Sequence, residues 1–189
     1  MRTALRALLV ALLAFWTARL GSGVQQGCFL DLVNLPFHEA GHLLFAPLGQ
    51  TMHFLGGTLG QLLVPAGLAV YFILKQREPF AAAACAWWLG ENFVNIAVYM
   101  ADARDLALPL VGGGDHDWNN LFYTFGLLGQ DSVAAVSAWT HRVGTLIMVA
   151  SLAWLATFLL TGESRSRFED LVADRLPLLR PLLVSEPAD

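Results

Sequence analysis

Apolar stretches of membrane-crossing length follow one another along most of this chain, and that pattern restricts its fold more than any motif does. Of the 189 residues, 56% are hydrophobic and 14% charged, whereas an average soluble domain is about 25% charged. A soluble chain this short leaves much of its surface in water and could not hide so much apolar area. The bilayer is the simpler solvent for it. We therefore expect an all-α fold, a polytopic integral membrane protein with about five or six transmembrane or partly spanning helices. A net charge of −4 with no basic run leaves nucleic-acid binding nothing to rest on. Cys28 and Cys85 form no CxxC pair and read as two buried small hydrophobes.

Charges divide the chain into segments. Residues 4–18 are apolar, opened by Arg2 and Arg6 and closed by Arg19; we read a retained first helix rather than a cleaved signal, because no clear cleavage site follows. A second segment runs from about Gln26 to Leu48. Asn34 there reads as an N-cap with Pro36 in the first turn, so that this helix begins partway through the membrane. A third spans Phe54–Leu74 and carries Gly56, Gly57, Gly60 and Gly67, small residues that let membrane helices approach closely. A fourth covers Phe80–Ala101. Residues 104–120 read as a loop, Gly129–Ser132 as a break, and the stretch to Leu160 as a short helix followed by a long one. Residues 1–162 form the expected membrane domain, and 163–189 a charged, partly amphipathic tail lying on the membrane surface. An even number of spans puts Arg2, Arg6 and the tail arginines on the cytoplasmic side, with Lys75 and Arg77 opposite. The tryptophans, Trp87 and Trp118 among them, read mainly as interface anchors.

One of these segments carries His38-Glu39-Ala40-Gly41-His42. Residues four apart lie one above the other on a helix face, so His38 and His42 can offer two imidazoles to one ion. Glu39 follows the first of them and falls beside the ion rather than in the ligand set. A glutamate so placed acts as general base towards a water that zinc has acidified. Histidine and glutamate are costly in an apolar helix and are usually functional there. Imidazole ligands at this spacing favour Zn2+.

A catalytic zinc usually has three protein ligands and a water. The remaining candidates are His116 and Asp117, beside the triple glycine at 112–114, then Asp102, Asp105 and Asp115; His53 and His141 are more remote. His116 or Asp117 is the favoured third ligand. In the fourth segment Glu91, Asn95 and Asp102 are spaced by four and seven residues and share one helical stripe. Such a stripe faces protein or water, supplying hydrogen bonds to the histidines, holding substrate, or joining helices.

On the HEAGH motif in a hydrophobic helix, the chain resembles the site-2 protease superfamily of intramembrane zinc metallopeptidases. The resemblance covers essentially one helix and the general architecture. It implies that His38 and His42 hold zinc, that Glu39 is the base, and that an aspartate in a later helix is the third ligand. The Asn-Pro-x-Asp-Gly or Leu-Asp-Gly setting of that aspartate is missing; the nearest substitutes are Asp102, Asp105 and Asp115-His116-Asp117. The expected activity is zinc-dependent hydrolysis of a membrane-embedded peptide segment or of a lipid amide or ester. The expected location is a bacterial inner membrane. A metal carrier or sensor using Glu91, Asn95 and Asp102 as an ion path, or a non-catalytic scaffold, is the alternative.

Overall fold

The computed structural model describes residues 2–23, 27–110 and 115–161, and every regular element among them is helical. The helices are α1 (Arg2–Gly21), α2 (Leu30–Phe45), α3 (Gln50–Tyr71), α4 (Pro79–Ala101), α5 (Asp117–Thr124) and α6 (Gln130–Thr161). The expected tail, 163–189, lies outside the described residues.

Three stretches are long and apolar enough to cross a membrane: Thr3–Gly21, Gln50–Gln76 and Gln130–Leu160. The protein is thus a membrane protein whose described residues form only helices among regular elements. Residues 130–161 form one helix rather than a short helix and a long one; His141 and Arg142 ride within it. There His141 faces the backbone carbonyl of Leu20 at 3.0 Å, so the polar pair needs no break.

The core lies between α4, α6 and α1. Trp87 and Val94 of α4 pack with Met148 and Leu155 of α6 and with Leu13 and Leu20 of α1. The α4–α6 contact is close because glycines face each other: a Cβ on Gly90 would stand 2.8 Å from the Gly144 carbonyl oxygen. Trp87 is not an interface anchor. It is buried and donates its indole N–H to Thr17 Oγ1 at 2.7 Å, the partner a buried indole requires. Trp118 packs on Phe122 beside a second cluster around Ile96 and Met100.

Side-chain pairs fix how the helices run. Arg6 meets Glu78 and lies over Phe80, Thr17 meets Trp87, and Phe80 stacks on Phe158. So α1 and α4 are parallel, α6 is antiparallel to both, and the start of α1, the 72–78 turn and the end of α6 share one end of the bundle. Lys75 and Arg77 therefore stand on the same side as Arg6, against the expectation from counting spans. The reason is α2, which is not among the helices long and apolar enough to cross a membrane. At 16 residues it is about 24 Å long, short of the roughly 30 Å hydrocarbon layer. It begins beside the middle of α4, where Asn34 pairs with Glu91, and runs towards the opposite end.

The local start of α2 also differs from expectation. The helix opens at Leu30, one full turn before Asn34, and Pro36 lies inside it. Asn34 does not cap. Its side chain is buried, donating to Glu91 Oε2 at 3.0 Å and accepting from the Trp88 indole at 2.8 Å. Asp31 takes the terminal role, accepting the Cys28 N–H at 2.8 Å. Cys28 is buried and Cys85 partly so, and both are free thiols.

Candidate metal centre

Helices α2 and α3 form a tight antiparallel pair at the end of the bundle remote from Arg6. Gly41 and Gly56 touch backbone to backbone, and a Cβ on Gly60 would meet the Phe37 carbonyl. Gly57 faces the histidines themselves. A Cβ there would lie 2.5 Å from His38 Nε2 and 2.7 Å from His42 Nε2, so both imidazoles occupy space that only glycine leaves. Gly67, by contrast, has nothing within 4 Å.

The two Nε2 atoms point at one carboxylate oxygen. Asp117 Oδ2 is 3.0 Å from His38 Nε2 and 3.3 Å from His42 Nε2. The opposite ring nitrogens meet acceptors: His38 Nδ1 lies 2.8 Å from Gln61 Oε1, and His42 Nδ1 lies 2.7 Å from the His53 backbone carbonyl. Each imidazole thus spends its Nδ1 proton on an oxygen and, when neutral, turns a bare nitrogen towards Asp117. Lone pairs facing a carboxylate repel unless a proton or a metal ion stands among them. Zinc bound to imidazole and carboxylate at about 2.0–2.1 Å in tetrahedral geometry sets its ligand atoms about 3.3 Å apart, close to the two separations found. One ligand atom from each of the three residues lies within 4.8 Å of the others.

Asp117 reaches the histidines because α5 starts there. His116 is the N-cap, extended at φ −77° and ψ 112°, and its Nδ1 accepts the Asn119 N–H at 3.1 Å. That spends one nitrogen of His116, and the other, Nε2, lies 3.3 Å from Asp102 Oδ2. Burial holds the His116 imidazole below its ordinary pKa, against the pull of Asp102. Of the two favoured third ligands the structure brings Asp117 to the histidines and turns His116 away. The expected loop thus ends in a helix that begins four residues before Leu121, capped by a residue type that rarely serves as a cap. Burial raises the Asp117 pKa, but the contacts with His38 and His42 outweigh it and the carboxyl titrates below its ordinary value. The Asp117 N–H donates to Tyr99 Oη at 3.1 Å.

The polar stripe of α4 divides into three roles. Asn95 joins Gln61 and Asp31, with Asn95 Oδ1 accepting from Gln61 Nε2 at 3.2 Å. Glu91, 1% exposed, holds Asn34. Asp102 follows the last helical residue and accepts the N–H groups of Ala107 and Leu108 at 2.9 and 3.1 Å, folding the chain back towards His116. Gln61, Asp31 and Tyr99 were not among the residues singled out from sequence, and Asn34 was singled out only as a helix cap.

Two cavities meet at the centre. One of about 520 Å³ is lined by His42, His53, Gln50, Asp115 and Asp117. The other, about 990 Å³, extends along Leu32, Leu35, Val94, Asn95, Val98 and Leu108. His38, Glu39, Tyr99 and Leu110 belong to both, and Glu39 is exposed. Asp105 lines only the larger cavity, and His141 borders it from α6.

Comparison with models of known protein families, with curated proteins and with solved structures gives no match.

Proposed function

We propose that this protein is a zinc-dependent hydrolase working within the membrane, a metallopeptidase of the kind its HEAGH motif resembles in the site-2 protease superfamily. The observation that carries the reading is the convergence of His38 Nε2 and His42 Nε2 on Asp117 Oδ2, with the other nitrogen of each ring committed to an oxygen. Two imidazoles and a carboxylate are the donor set of a catalytic zinc with a position left open. Zinc held there would polarise the scissile carbonyl and lower the pKa of water towards about 7.

The remaining chemistry belongs to the chain. Glu39, open to both cavities, takes a proton from the attacking water and returns it to the leaving group. Tyr99 holds the Asp117 backbone in place. The larger, mainly apolar cavity receives the substrate, for which we favour a membrane-embedded peptide segment; a lipid amide or ester would use the same groups. We infer that α2 and α4 lie in the membrane with α1, α3 and α6, giving five spanning or partly spanning helices. Leu32, Leu43 and Leu44 on the outer face of α2 are exposed and suited to lipid. The clustering of Arg6, Lys75 and Arg77 suggests that their end is cytoplasmic, in a bacterial inner membrane.

A carrier reading has one observation of its own, a second set of groups formed by Cys28, Asp31 and Glu91. A carrier has no need of Glu39, and neither has a scaffold. The test pairs zinc analysis with cleavage of a library of hydrophobic peptides in detergent, followed by mass spectrometry. Glu39→Gln is expected to keep its zinc and lose cleavage. Equal cleavage by wild type and Glu39→Gln sinks the hydrolase reading.

A further inference from the structure

His38 ends a row of hydrogen bonds that leads away from the metal centre across three helices. Its Nδ1 lies 2.8 Å from Gln61 Oε1 of α3; Gln61 Nε2 donates to Asn95 Oδ1 of α4 at 3.2 Å; Asn95 Nδ2 donates to Asp31 Oδ1 of α2 at 3.0 Å. Asp31 precedes His38 by seven residues, two turns or about 10 Å along the helix. It is not within reach of the ion.

A carboxamide offers an acceptor on one side and donors on the other, so a row of amides can run in either direction. Only a member that cannot be turned over fixes the direction. Asp31 is that member. Its Oδ2 receives the Cys28 N–H and its Oδ1 receives Asn95 Nδ2, so both oxygens are acceptors, as in the charged form. Asn95 must then show its oxygen to Gln61. Gln61 must show its own oxygen to His38, and His38 must carry its proton on Nδ1. Glu91 stands at the far end of the row, hydrogen-bonded to the Asp31 carboxylate, with its Oε2 also held by Asn34. His42 needs no such device, because its Nδ1 faces a backbone carbonyl that cannot be reversed.

We propose that Asp31 is a positioning residue for the metal centre: its charge, passed through Asn95 and Gln61, fixes the tautomer of His38 and keeps Nε2 free for the ion. This rests on the reading of His38 as a ligand. An amide at position 31 can donate to Asn95 instead of accepting. Asn95 and Gln61 then turn over, Nδ1 of His38 becomes an acceptor, and the proton moves to Nε2, where it competes with the metal. Orienting partners of metal-bound histidines are commonly worth about 10- to 100-fold in affinity.

The test measures zinc affinity by competition with a chromophoric chelator in detergent, with folding followed by circular dichroism. Asp31→Asn is expected to bind zinc about 10- to 100-fold more weakly than wild type. The double variant Asp31→Asn/Asn95→Asp moves the carboxylate one link nearer. It can accept from Gln61 and from the new amide, so it restores the direction and is expected to recover most of the lost affinity. A purely structural contribution of Asp31 would not be rescued in this way. Folded Asp31→Asn with wild-type affinity, or a folded double variant as weak as the single one, overturns the proposal. If Asp31→Asn fails to fold, the double variant decides. Nitrogen-15 NMR of metal-free Asp117→Ala labelled at histidine, in which no Asp117 carboxylate faces Nε2, reads the tautomer that the intact row sets. Nδ1–H on His38 is expected, and Nε2–H overturns the proposal. Absence of zinc from the wild type would sink the hydrolase reading and leave this last measurement standing.

Discussion

Asp117 Oδ2 lies 3.0 Å from His38 Nε2 although 79 residues separate them, and His42 approaches the same oxygen to 3.3 Å. One zinc per chain is therefore expected when the protein is purified without chelator, measured by elemental mass spectrometry. His38→Ala and Asp117→Ala should each lose it. His116→Ala should retain most of it, since His116 faces Asp102 and not the ion. Zinc lost in His116→Ala and kept in Asp117→Ala would reverse the assignment of the third ligand.

Gly57→Ala is expected to abolish stoichiometric zinc while the helices still form. The added methyl would occupy the space of both Nε2 atoms, and the rings can yield only by turning away from Asp117. Gly67→Ala, on the same helix with open space around it, is the control and should bind zinc normally. The measurement is zinc content beside circular dichroism.

Acid should destabilise the metal-free protein partly through Asp117. Its folded pKa lies below the ordinary aspartate value of about 3.9, because the histidine contacts outweigh burial. The stabilisation is fully present above that ordinary value and is lost as pH falls through the lower folded one. Thermal unfolding of metal-free wild type against Asp117→Asn, across the range below about pH 4, should show a steeper acid loss in the wild type. Parallel curves would contradict the contacts described.

Asp102→Asn is expected to cost about 1–3 kcal/mol, the scale for leaving the buried His116 imidazole with a poorer partner. The Ala107 and Leu108 N–H groups and His116 Nε2 all converge on this carboxylate. Zinc affinity should fall less than in Asp117→Ala, because Asp102 shapes the approach to α5 and does not face the ion. Chemical denaturation and chelator competition check both statements.

Asp115, on the smaller cavity, and Glu78, beside Arg6, stand at opposite ends of the bundle. In sealed membrane vesicles carrying the protein with Cys28→Ala and Cys85→Ala, a membrane-impermeant thiol reagent should therefore label Asp115→Cys and Glu78→Cys from opposite sides. Labelling of both from one side would contradict the proposed membrane course of α3 and α4.

The membrane class and the paired histidines were legible because they depend on spacing and hydropathy, both local properties. Choosing between His116 and Asp117 depended on which residue capped α5, and histidine is not among the usual caps. Asn34 looked like a cap because it precedes Pro36; its true partners, Glu91 and Trp88, are more than fifty residues away. Gln61 left only a faint signal, a single amide in an apolar segment, which deserved the weight given to charged residues there. The recurrence of Asp31, Asn34 and His38 at helical spacing was a stronger one. It marked the inner face of α2, but the proline drew the reading to a later start.

The distance along the chain between the HEAGH motif and Asp117 also orders events during synthesis. Both histidines leave the ribosome well before α5 exists, and domains generally assemble in the order in which they are made. Until α4 is inserted and the chain after Asp102 has folded back, the nascent protein offers an ion only two imidazoles, a weak and exchangeable hold. On the proposed zinc reading, firm metal loading would belong to the closing stage of membrane assembly, and a half-made or truncated chain would be an apoprotein, unable to hydrolyse its neighbours during biogenesis.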